Sequence, residues 1–142
     1  MFNLARTTGL ILLAIVLSGS SLTALAQSRL NDHDVQAVMQ NLRDDSKSFR
    51  SAFDSAVKKS TIRKTSQEKD ARTQVANFER QTESTLRQFK NNKKADVHVQ
   101  SMMESANSID HLLQSVSLDD RTNSAWGKVR ADLTQLSSAF SQ

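Results

Sequence analysis

Residues 35–56 read VQAVMQNLRDDSKSFRSAFDSA, and Val35, Met39, Leu42, Ser46, Phe49, Phe53 and Ala56 recur in alternating steps of four and three. That spacing keeps one side of an α-helix apolar and leaves the other to amides and charges; a strand would need alternation every second residue. Three further stretches repeat it. Ala71, Val75, Phe78, Thr82, Thr85 and Phe89 form a second stripe, widened by Leu86. Ala95, Val99, Met102, Ala106, Ile109, Leu113 and Val116 form a third, and Trp126, Val129, Leu133, Leu136 and Phe140 a fourth. Four such faces, each too narrow to be buried by itself, predict an all-α, antiparallel, up-down-up-down four-helix bundle.

Capping chemistry sets the expected boundaries. Asn31-Asp32 precedes the first stripe, Thr65-x-x-Glu68 is a capping box before the second, Asn92 is placed to cap the third, and Ser117-x-x-Asp120 opens the fourth. The expected helices cover about 32–59, 66–90, 94–116 and 119–141, with short connections that make neighbours in sequence antiparallel neighbours in space. Counting inward along them puts Phe49 and Phe78 level with Ala106, so large side chains face small ones, and puts Trp126 beside Phe53 and Ile109. Of the connections, 61–64 is the one expected to be mobile.

The chain begins MFNLARTTGLILLAIVLSGSSLTALAQ. A single Arg6, an apolar run from Leu10 to Leu17 and the small residues before Ala24-Leu25-Ala26 follow the order of a secretory signal peptide, expected to be cleaved after residue 26. Ser18-Gly19-Ser20-Ser21 breaks the run well short of the about 20 apolar residues a membrane span needs. No stable span is expected after cleavage, and the remaining 27–142 form a single domain of periplasmic or secreted location. The leader holds one of the 19 basic residues and none of the 15 acidic ones, which leaves the rest at +3. That mild excess, with no aromatic residue interleaved among the lysines, argues against nucleic acid as a partner. The chain has no cysteine, which rules out disulfides, thiol chemistry and covalent haem attachment, and it has no proline to interrupt a helix.

Few constellations carry chemistry. His33, His98 and His111 are the only imidazoles. His98 and Met102 have the four-residue spacing of a shared ligand, but His98 lies off the core stripe, so solvated histidines outweigh a metal or haem site. Ser108-Ile109-Asp110-His111 cannot form a relay on one helix, because residues two and three apart diverge. Asp44-Asp45, Asp119-Asp120, and Glu79 with Glu83 read as outer-face or helix-start carboxylates. No catalytic residues, metal ligands or cofactor are assigned, and the expectation is a protein that is not an enzyme.

Two weaker features remain. A middle layer of Ser46, Thr82, Met102, Met103 and Leu133 sets small hydroxyls against flexible thioethers, which would either leave a cavity for a small apolar ligand or be closed by hydroxyls bonding back to their own helices. Lys58, Lys59, Arg63 and Lys64 cluster at the first connection and would attract an anionic surface, although Lys58 and Lys59 also suit the C-terminal end of a helix dipole. Lys90, Lys93 and Lys94 gather at the other end. The leading expectation is a helical binding or interaction module of the bacterial envelope, with an unknown protein or an anionic surface as partner; the alternative is a carrier of a small apolar ligand or metal in the bundle centre.

The closing segment, Trp126-Gly127-Lys128-Val129-Arg130-Ala131-Asp132-Leu133-Thr134-Gln135-Leu136 with Phe140, resembles the end of a group of small bacterial secreted helical proteins that share a W-x-x-[VL]-[RK]-x-D-L-x-x-L-x-x-x-[FY] helix. A looser similarity runs back to Phe49 and includes Phe78-Glu79 and Ile109-Asp110. The resemblance implies the bundle and the bacterial envelope, and nothing about chemistry.

Overall fold

The computed structural model describes residues 30–141, and the expected signal peptide lies outside them. Four helices follow in order, α1 Asp32–Val57, α2 Ser66–Asn92, α3 Asp96–Ser115 and α4 Asp120–Phe140, with no strand among the described residues. Each packs on its neighbours in a closed cycle, α1 on α2, α2 on α3, α3 on α4 and α4 back on α1, with α1–α4 the most extensive seam. Contacts of decreasing number on one helix meet increasing numbers on the next: Arg50 reaches Glu79 while Asp54 reaches Arg72, and Phe49 meets Trp126 while Asp45 meets Asp132. All neighbours are therefore antiparallel, as short connections require.

Every residue of the first two stripes is buried. In the third only Leu113, and in the fourth only Phe140, is partly exposed. Val38, Ala52, Val57, Ile62, Ala76 and Thr122 join the interior although they fall outside the stripes. Around the centre, Trp126 packs its indole on Phe49 at 4.7 Å and edge-on to Phe78 at 5.4 Å between ring centroids. Phe49 is thus the aromatic partner where Phe53 was expected, and Phe53 stacks one turn along on Phe49 at 5.9 Å.

The caps correct the expected boundaries in detail. Asn31 caps α1, its Oδ1 accepting from the Asp34 N–H. Thr65 caps α2 through the Glu68 N–H, but the Glu68 carboxylate reaches the Lys64 N–H and not that of Thr65, whose N–H is taken by the Ile62 carbonyl. Asn92 belongs to α2: its side chain turns to the Lys94 N–H, and α3 starts from Ala95 with no side-chain cap. Asp119, not Ser117, caps α4, accepting from both the N–H and the hydroxyl of Thr122. Those two bonds hold the Asp119 carboxyl below its ordinary value.

Candidate functional site

The connection from α1 to α2 is a succession of hydrogen-bonded turns. Lys59 and Ser60 donate their N–H groups to Ala56 and Val57, Arg63 donates to Ser60, and Thr65 donates to Ile62. Ile62 turns inward and is buried against the core. Lys64 has φ 63°, the left-handed region that a side chain rarely occupies, and its N–H is held there by Glu68. In the segment expected to be mobile, an apolar side chain anchors the middle and a carboxylate holds the end. Glu68 in turn is kept below the usual carboxylate range by that backbone bond first, and by Arg72 next.

On this frame Lys58, Lys59, Arg63 and Lys64 are all exposed. None of their charged groups lies within 4 Å of a carboxylate among the described residues, whereas those of Arg43, Arg50, Arg72 and Arg130 all do. Two acids sit nearby without contact: Asp119 feels the charge of Lys59, and Glu68 that of Arg63. At the other end one of the three cations is engaged. Lys93 folds its ammonium over the Phe89 ring, 5.1 Å from the centroid, while Lys90 and Lys94 are exposed.

Of the residues expected in the middle layer, Ser46, Thr82, Met102 and Leu133 are buried and Met103 is half-buried. Thr82 Oγ1 donates to the Glu79 carbonyl at 2.7 Å, and Thr85 Oγ1 donates to the Gln81 carbonyl at 2.7 Å with the Met102 sulfur 3.6 Å away. Ser46 differs: its buried Oγ has no hydrogen-bond partner. Three recesses on the surface, one of about 460 Å³ beside Asp96, Gln100 and Glu104, one of about 260 Å³ between Asp45, Ser48, Arg121 and Lys128, and one of about 170 Å³ beside Arg43 and Glu83, are not lined by this layer.

The imidazoles do not converge. His33, His98 and His111 are exposed, and His98 points to solvent while Met102, four residues on, is wholly buried. No cluster of three metal-ligating side chains occurs among the described residues. Asp110 is used structurally, accepting from the Trp126 indole N–H at 2.6 Å and lying 3.3 Å from Arg130.

Several polar contacts were not anticipated from the sequence. Glu79 is no outer-face carboxylate, since Arg50 donates to it at 2.7 Å and is held more strongly protonated as a result. Asp45 is likewise half-buried against Asp132 of α4. The nearest signal was positional: each stands one residue beside a stripe, at the border where two helices meet. Compared with known proteins, the chain matches no family model, no curated protein and no solved structure, so the reading rests on these residues alone.

Proposed function

We propose that this chain is a non-enzymatic helical binding protein, exported to the bacterial periplasm or medium, that meets an anionic partner through the basic end of its bundle. The observation that supports this is the set Lys58, Lys59, Arg63 and Lys64, exposed and unpaired on a connection anchored by Ile62. Ammonium and guanidinium groups with no carboxylate in contact keep their charge available to a surface. A well-ordered frame also presents them with little ordering entropy to lose on contact.

Export is proposed from the leader, and the mature N-terminus is expected at Gln27 within a few residues. N-terminal sequencing of protein recovered from periplasm or medium decides this, and a retained Met1 in a membrane fraction would reject cleavage. No helix among the described residues is long and apolar enough to cross a membrane.

For the basic end, wild-type protein is expected to co-sediment with anionic lipid vesicles at about 0.01 M salt and to be largely released at about 0.15 M, as the Debye length contracts from about 30 Å to about 8 Å. A variant with all four cations changed to glutamine should stay in solution at both. Wild-type protein that never sediments, or a variant that sediments equally, would sink the surface reading.

A second reading, a carrier of a small apolar ligand in the bundle centre, draws on the unpartnered Ser46 hydroxyl beside the methionine layer. Native mass spectrometry of the purified protein separates the two, because a carrier retains added mass that a surface-binding module lacks.

A further inference from the structure

Opposite charges lace the seam between α1 and α2. Arg50 joins Glu79 at 2.7 Å, and Arg72 joins both Asp54 and Glu68. The seam between α1 and α4 is built the other way. There the Asp132 carboxyl comes within hydrogen-bonding reach of the Asp45 carboxyl, and the Asp132 Oδ2 is buried with no donor to satisfy it. Two ionised carboxylates in contact repel, and each also loses hydration as the helices close over them. One proton between the two turns that contact into a hydrogen bond and supplies the missing donor.

No neighbouring cation relieves the pair. On α1, Arg43 is engaged by Asp44 at 2.8 Å and Lys47 faces solvent. On α4, Arg130 turns toward α3 to meet Asp110, which the Trp126 indole also occupies. Lys128 and Arg121 of α4 line the groove beside Asp45 but approach neither carboxylate within 4 Å. Burial first, then the Asp45 charge and its hydrogen bond, push the Asp132 carboxyl up to about 6.

We propose that Asp45 and Asp132 form a proton-sharing latch across the α1–α4 seam, closed in mildly acidic surroundings and loosened when the proton leaves. The direction follows from linkage. A carboxyl whose value is higher in the folded state than in the unfolded chain contributes its full stability below the unfolded value, about 3.9, and loses it as pH rises through the folded one. The latch is therefore strongest near pH 4 and open by about pH 7. Loosening acts on the most extensive seam of the bundle, and it leaves Asp45 free to turn to Lys128 or Arg121 across the adjoining groove.

Thermal unfolding of the purified protein at pH 5 and pH 7.5 tests this against Asp132→Asn, whose amide donates to Asp45 at either pH. The wild-type midpoint should fall between the two pH values by about 3 to 6 °C more than that of the variant. The two proteins differ only at residue 132, so the difference isolates the pair. Should Asp132→Asn fail to fold, carboxyl carbon NMR supplies the second measurement. The Asp132 resonance is expected to titrate near 6 in the wild type and clearly lower in Asp45→Asn, where the like charge is gone and the new amide stabilises the carboxylate. Equal pH responses of wild type and Asp132→Asn, or an Asp132 resonance that titrates below 5 in the wild type, would overturn the latch.

Discussion

Phe49→Ala is expected to lower the stability of the bundle by about 2 to 5 kcal/mol, and Leu133→Ala by a similar amount. Both side chains are fully buried, and Phe49 also joins Phe53 to Trp126, so its removal leaves a void between two aromatic neighbours and not at an edge. Surrounding helices held in a closed cycle can collapse only partly into such a void, which is why the cost exceeds the lost transfer energy alone. Lys59→Ala, on an exposed side chain with no ion pair, should cost under about 0.5 kcal/mol. Urea unfolding of the three variants decides it, and equal midpoints would mean that the central layer is not packed as described.

The architecture was readable because helical periodicity is a local property. A residue on the apolar stripe is buried whichever neighbour covers it, and so Val35 through Ala56 and Ala71 through Phe89 were found from spacing alone. The burial of Ser46, Thr82 and Met102 follows in the same way, because they stand where the period demands a core position. Periodicity does not report which residues of two helices touch. That needs their relative rotation and stagger, to within less than one turn, and the expected pairing of Trp126 with Phe53 missed by that one turn. Caps failed for a related reason. Ser117, Asp119 and Asp120 all have acceptable chemistry, and the choice fell to Asp119 because Thr122 supplied it with two donors.

Ile62 and the border polar residues were illegible for different causes. Ile62 stands alone between Ser60 and Arg63, without a periodic partner to mark it as core, yet it is what orders the basic connection. Its burial sharpens the proposed site, since the four cations are presented from a pinned turn and not from a flexible tether. Glu79, Asp45 and Asp132 look solvated in sequence because charged residues beside a stripe normally snorkel outward. Here partners on the adjoining helix turn them inward. Three polar positions of the quoted closing motif, Trp126, Arg130 and Asp132, are the ones through which α4 reaches α3 and α1.

That arrangement makes Asp110→Ala the most damaging change expected at a polar position. Asp110 is the acceptor that the Trp126 indole N–H meets among the described residues, and Trp126 is only 5% exposed. Losing the acceptor leaves a buried donor unsatisfied, at a cost of about 1 to 3 kcal/mol, and also strips Arg130 of its counter-charge. Asp110→Asn keeps an oxygen at the same distance from the indole and gives up only the exposed part of the interaction with Arg130, so it should cost less than half as much. Trp126 is the only tryptophan of the chain, which lets its fluorescence follow both unfolding and the local environment without labelling. Urea titrations of the two variants should separate clearly, the alanine variant unfolding first and emitting differently even when folded. If both unfold together with the wild type, the hydrogen bond between α3 and α4 contributes nothing, and packing of the indole on Phe49 and Phe78 alone fixes Trp126 in place.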